Sequence, residues 1–202
     1  MIKNIVFDFG QVLVHYEPAY IVSQHVTDPS DASLLAEVIF DRLYWDRLDE
    51  GTITDEETLA ACRTRLPERL WESASRIYYN WIYHIPEMEG MGELIDVLKH
   101  EYGVHVYVLS NISKYFASHA EEISILRKAE GCIFSSLCGY IKPSPEIFRH
   151  LCDSFSLSPN ETVFIDDNEK NVKGARAFGL AAYQFDGDVS RLRDYLFSLL
   201  MK

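Results

Sequence analysis

No stretch of this 202-residue chain approaches the ~20 consecutive apolar residues that a membrane-spanning helix requires. The apolar run nearest the N-terminus, Ile5-Val6-Phe7, is too short for a secretory signal and stops at Asp8, so a cytoplasmic protein is expected. Positive charge is scarce: 19 Lys and Arg stand against 31 Asp and Glu, a formal net charge of −12. Such a surface is a poor partner for nucleic acid or an anionic membrane, both of which reward basic groups. The four cysteines, Cys62, Cys132, Cys138 and Cys152, form no CxxC pair and have no histidines at zinc-finger spacing. They read as reduced, small core hydrophobes. Internal repeats and low-complexity segments are missing as well.

What remains is an ordinary globular composition, 48% hydrophobic and 25% charged, with length for one sizeable core and a smaller accessory domain. Three apolar runs recur at wide spacing and each ends in polar residues: Ile5-Val6-Phe7-Asp8, Val106-Tyr107-Val108-Leu109-Ser110-Asn111 and Val163-Phe164-Ile165-Asp166-Asp167. Runs of this kind suit strands of a parallel sheet buried on both faces, whose ligands sit at the strands' carboxyl ends. Helical periodicity lies between them, over Glu93 to His100, Ser113 to about Ala129, and from Ser144-Pro145 onward, with Ser144 placed as N-cap. A further helix is expected over Glu169 to Phe178, stopped by Gly179, then a strand over Leu180 to Phe185 and a closing helix over Val189 to Leu200. Strands alternating with helices predict a doubly wound α/β domain with a parallel sheet.

Residues 16 to 86 break this rhythm, being helical in period throughout. Thr54-x-x-Glu57 is a capping box opening a helix to about Leu66, and an aromatic-rich helix is expected over Glu68 to Tyr83. The expected organisation is therefore a core of residues 1–15 and 87–202, with a helical-bundle cap of residues 16–86 inserted after the first strand. Hinges are expected near His15-Tyr16 and Pro86-Gly90, with Gly90 and Gly92 absorbing backbone change.

Four elements fall in chain order at strand ends or in loops: Asp8-Phe9-Gly10-Gln11-Val12, Leu109-Ser110-Asn111, Lys142-Pro143 and Asp166-Asp167-Asn168. In this order, with a helical insert after the first, they resemble the haloacid dehalogenase superfamily over nearly the whole chain. The chemistry also follows from the residue types. A carboxylate at a strand end, Asp8, can attack phosphorus and form an aspartyl-phosphate. Oxygen ligands from Asp8 and Asp167 with a backbone carbonyl suit Mg²⁺. Lys142 supplies positive charge to nucleophile and phosphoryl group, while Ser110 and the Asn111 amide donate to phosphoryl oxygens. The resemblance implies a Rossmann-like core and the same roles, with the carbonyl ligand coming from Gly10 and Asp166 orienting metal-bound water.

One departure stands out. The family stretch commonly reads Asp-x-Asp-Gly-Thr, and the second aspartate, the proton donor and later the activator of water, is here Gly10. General acid/base help is worth ~10²–10⁴ in rate. Three outcomes follow: a phosphatase for leaving groups that depart with little protonation, a metal-independent 2-haloacid dehalogenase, or a phosphate-binding regulatory protein without turnover. The first is favoured by similarity to bacterial glucose-1-phosphate phosphatases of the superfamily, which carry Asp-x-Gly-Asn-Val at this motif. The expected substrate is a small phosphorylated metabolite, foremost a sugar phosphate, with Gln11 or His15 positioning the hydrolytic water. Tyr44, Trp45, Arg47 and the Gly51 turn are the candidate cap segment facing substrate, whereas Trp71, Tyr78 and Trp81 read as packing. Nothing in the composition specifies an oligomeric state.

Overall fold

In a computed structural model, which describes residues 1–201, five parallel strands form one sheet in the order β3-β2-β1-β4-β5. In chain order the elements are β1 (Asn4–Phe7), α1 (Pro18–Ser23), α2 (Pro29–Ile39), α3 (Arg42–Asp49), α4 (Asp55–Arg65), α5 (Trp71–Asn80), α6 (Met91–Tyr102), β2 (His105–Ser110), α7 (Lys114–His119), β3 (Gly131–Phe134), α8 (Ser135–Cys138), α9 (Pro145–Phe155), β4 (Thr162–Asp166), α10 (Glu169–Phe178), β5 (Ala181–Gln184) and α11 (Val189–Leu200). No helix among the described residues is long and apolar enough to cross a membrane. The four cysteines are free.

The period of two along each strand divides the interior into two apolar clusters. Ile5, Phe7, Val106, Val108, Val163 and Ile165 face one side, with buried residues of α6 and α11. Val6, Tyr107, Leu109 and Phe164 face the other, with Ile147, Phe148 and Leu151 of α9 and Val172 and Ala175 of α10. Both faces are thus covered, which is why the strands read as continuous apolar runs. The expected doubly wound α/β architecture is what the structure shows. Its strand order reverses at β1, with β2 on one side and β4 on the other, and this opens a crevice at their carboxyl ends.

Helices α1 to α5 all lie between β1 and α6. Their buried residues, among them Trp45, Leu48, Leu59, Cys62 and Ile77, join the first apolar cluster. An aromatic chain makes the join: Phe9 lies 4.8 Å from Phe116, Phe116 5.5 Å from Trp81, and Trp81 5.5 Å from Tyr16 by ring centroids. The capping box at Thr54 and Glu57 is formed. The two crossings are zipped side by side, with the His15 amide donating to the Pro86 carbonyl at 2.8 Å and Met88 to Leu13 at 2.9 Å.

Several boundaries differ from expectation. The helix expected over 113–129 ends at His119 and gives way to two short 3₁₀ turns. Ile123 and Ile125 are both buried, and residues two apart fall on opposite sides of a continuous α-helix, so burial breaks the helix. Strand β3 was not expected, because its four residues open with glycine and cysteine and give no apolar run. The helix expected over 68–83 is α5 flanked by 3₁₀ turns. Ser144 stands at the N-cap of α9 but its side chain makes no capping bond. Gly90 has φ +79°, whereas Gly92 sits in the first turn of α6 without a positive φ, so only Gly90 supplies the expected special backbone.

Gly174 of α10 positions a functional loop. A Cβ built there would lie 2.6 Å from the Pro143 carbonyl oxygen and 2.7 Å from Pro143 Cβ, so only glycine lets α10 approach the Lys142-Pro143 segment. Gly174→Ala is expected to cost about 1–3 kcal/mol of stability, as overpacking does, measured by urea denaturation.

Candidate active site

Asp8, the residue after β1, and Asp166, the last of β4, are neighbours across the crevice because β1 and β4 pair in parallel register. Lys142 bridges them. Its Nζ lies 2.7 Å from Asp8 Oδ1 and 2.7 Å from Asp166 Oδ2, and its side chain is 1% exposed. The loop that delivers it is fixed from β2: Asn111 Oδ1 accepts from the Lys142 amide at 2.8 Å and Asn111 Nδ2 donates to the Lys142 carbonyl at 3.1 Å. The Asn111 carboxamide thus holds Lys142 with its oxygen and one of its two N–H groups, and its backbone N–H is a further donor available to a ligand.

Asp166 is fully buried. Besides Lys142 it accepts from the Asn168 amide at 2.8 Å and from Asn171 Nδ2 at 3.1 and 3.0 Å. Asn168, not either aspartate, caps α10. Asp167 is thereby left to face the cavity, together with Asp8, Gly10 and Gln11 from the first loop, Ser110 and Asn111 after β2, and Lys142. Asp166 stands behind this wall. The cavity has a volume of about 460 Å³, within the range of small-molecule sites.

Burial pushes the Asp8 carboxyl up to about 7; Lys142 pulls against this and the Asp166 charge adds to it. The Asp167 carboxyl is likewise raised, first by burial and then by Asp166. Lys142 is raised overall, since Asp166 and Asp8 outweigh a burial effect that opposes its charge. One carboxylate oxygen from each of Asp8, Asp166 and Asp167 lies within 4.8 Å of the others. Three carboxylates against a single ammonium leave an excess of negative charge, and all three offer hard oxygens. That donor set fits a divalent cation such as Mg²⁺.

Gln11 lies on this wall with φ +58°, but its Nε2 donates to the Tyr16 carbonyl at 3.0 Å and to Glu17 at 3.1 Å. Only its Oε1 remains to meet a water. His15 is exposed and outside the cavity lining. Of the four expected cap residues only Trp45 lines the cavity; Tyr44 lies under the Arg65 guanidinium, Arg47 is exposed, and Gly51 packs on the core near Ser136. Trp81 lines it too, while Trp71 sits outside, its indole donating to the Arg63 and Leu66 carbonyls.

Sequence reasoning missed Tyr16, Arg42, Asp46, Asp49 and Glu50, which complete the wall from the insert. Asp49 is 8% exposed, on the same buried face of α3 as Trp45 and Leu48. An acid at a position where helical spacing demands an apolar residue was the available signal. Burial pushes its carboxyl up to about 7, with Arg42 lowering it and Asp46 raising it further. The Tyr16 hydroxyl is buried without a hydrogen-bond partner.

A family described as haloacid dehalogenase-like hydrolase matches residues 2–179, and the chain belongs to that family. It is similar to a D-ribitol-5-phosphate phosphatase of Bacteroides thetaiotaomicron, 27% identical over 91% of this chain and 92% of the relative. Its fold resembles that of a family enzyme from the same organism, solved in complex with magnesium and inorganic phosphate: TM-score 0.66, 22% identity, covering 95% of this chain and 99% of that one. It also resembles the L-2-haloacid dehalogenase of Xanthobacter autotrophicus with chloropropionic acid covalently bound, with TM-score 0.65, 17% identity and coverage of 90% and 76%.

The raised Asp49 carboxyl links stability to pH. Its pKa is above the unfolded value, so its favourable contribution is complete below about 3.8 and is lost as pH rises through about 7. In EDTA, Asp49→Asn is expected to match the parent's urea midpoint near pH 4 and to exceed it at pH 8.

Proposed function

We propose that this hydrolase is a Mg²⁺-dependent phosphomonoesterase that works through an aspartyl-phosphate on Asp8, with a small phosphorylated metabolite, foremost a sugar or sugar-alcohol phosphate, as substrate. The observation that carries this reading is the placement of Lys142 between Asp8 and Asp166 in the wall of a cavity that also presents Asp167, Ser110 and Asn111. The likeness to a ribitol-phosphate phosphatase over nearly the full length of both chains supports the substrate class.

Asp8 attacks phosphorus from the strand end, where Lys142 and the Phe9 amide, 2.7 Å from Asp8 Oδ1, fix its carboxylate and leave Oδ2 for the reaction. Lys142 also offsets charge on the transferring phosphoryl group, and the Ser110 hydroxyl and Asn111 backbone N–H donate to its oxygens. Asp166 acts through Lys142, holding the ammonium in place. Asp8, the Gly10 carbonyl and Asp167 would hold the Mg²⁺, which when bound supplies electrostatic stabilisation of phosphoryl oxygens. Asp166 would orient its water shell from behind. Residues 16–86 act as the cap: Tyr16, Trp45 and Trp81 wall the cavity from above and exclude bulk water. Because Gly10 offers only backbone, the first loop contributes no proton donor.

Asp8→Asn is expected to lower phosphate release from pentitol and sugar phosphates by roughly 10⁴-fold or more, the scale of losing a covalent nucleophile. EDTA should abolish turnover and Mg²⁺ restore it. Halide release from 2-haloacids in EDTA would replace this reading with a dehalogenase. Stabilisation by phosphate esters without phosphate release would replace it with a binding protein.

A further inference from the structure

The cavity contains an acid that the chemistry above does not use. Asp49 ends α3 in the insert, and among the described residues its carboxylate has neither a hydrogen-bond donor nor an ion-pair partner, although the residue is more than nine-tenths buried. Its oxygens are not among the side-chain atoms sealed from solvent without a partner, so the unpartnered carboxyl opens to the cavity, where it can meet a ligand. The backbone around it is pinned to the core. Ser135 Oγ donates to the Asp49 carbonyl at 2.6 Å and accepts from the Ile112 amide at 2.9 Å, just beyond β2. Gly51 approaches so closely that a Cβ there would lie 2.9 Å from the Ser136 carbonyl oxygen. The insert is thus docked on the sheet at the residue that sends an acid into the cavity shared with Asp8 and Lys142.

We propose that Asp49 is the general acid/base of this enzyme, supplied by the insert in place of the carboxylate missing at Gly10. This rests on the phosphatase reading above. In the first step Asp8 forms its bond to phosphorus, the ester P–O bond breaks, and the departing oxygen takes the proton of Asp49. In the second, Asp49 takes a proton from water as the water oxygen bonds to phosphorus, Asp8 departs as carboxylate, and inorganic phosphate leaves. Asp49 ends protonated, as it began. The charged and titratable groups around it are Arg42 and Asp46 on its own helix, Glu50 just after it, Asp8 and Lys142 from the core, and the Tyr16 hydroxyl from the first crossing. Its carboxyl, held near 7 by burial, is suited to giving and taking a proton at neutral pH.

The position this acid replaces is open to reconstruction. A Cβ at Gly10 meets only Tyr16 Cβ, at 3.8 Å, which is ordinary contact. The test compares kcat/KM for an alkyl phosphate and for p-nitrophenyl phosphate, with Mg²⁺ present, in the parent, Asp49→Asn, Gly10→Asp/Asp49→Asn and Asp8→Asn. Asp49→Asn is expected to lose ~10²–10⁴-fold on the alkyl ester and markedly less on the aryl ester, whose leaving group departs with little protonation. The double variant should recover a large part of the alkyl activity, which restoration of a merely structural contact would not achieve. Equal losses on both esters, no loss on the alkyl ester, or absence of rescue would overturn the assignment. Asp8→Asn separates the two readings: if it is inactive on both esters while Asp49→Asn shows no leaving-group dependence, only the Asp49 assignment fails. If Asp8→Asn turns over like the parent, the phosphatase reading itself fails.

Discussion

One ammonium group organises the carboxyl edge of the sheet. Lys142 lies 2.7 Å from both Asp8 and Asp166, out of contact with bulk water. Adjacent buried carboxylates repel, and a shared cation lets them coexist. The surrounding sequence serves that arrangement. Parallel pairing of β1 and β4 brings the two acids together, the Asn111 carboxamide clamps the backbone of Lys142, and Gly174 admits the lysine loop against α10. Removing the lysine would strand two buried carboxylates, a change on the order of 3–5 kcal/mol.

The same constraint explains how an overall charge of −12 is compatible with an anionic ligand. Attraction is local: Lys142 and the backbone donors at the strand ends act within a few ångströms, as would a divalent cation held by the acid cluster, and at that range the general field of the surface counts for less. The insert completes the site from the other side. Its buried residues share one apolar cluster with a face of the sheet, so the aromatic wall and Asp49 are held by the same packing that stabilises the core.

Much of the core was legible because its signals are local. The apolar runs ending in Asp8, Asn111 and Asp167 marked three strands, and Gly179, with φ +111°, stopped α10 where a left-handed residue was expected. The order of Asp8, Ser110, Lys142 and Asp166 pointed to residues that the fold does bring to one crevice. What was illegible depends on long-range contacts. Strand β3 exists through pairing with β2 and has little pattern of its own. The pair of hydrogen bonds between the Asn111 carboxamide and the Lys142 backbone spans 31 positions. Asp49 is recognisable only once α3 is known to bury Trp45, Leu48 and Asp49 on one face and to dock beside Ser135. Gly10 looked like a missing group when the first loop was considered alone; in the folded chain it lines the same cavity as an acid delivered by the insert.

The decisive measurement is a rapid acid quench of the enzyme during turnover of a phosphomonoester, followed by peptide mass mapping. If Asp8 is the nucleophile, a transient population of the peptide containing Asp8 carries the mass of one phosphoryl group, and hydroxylamine removes it. Turnover with no phosphorylated peptide at any quench time, or with the phosphoryl group on a different residue, would contradict the central role assigned to Asp8.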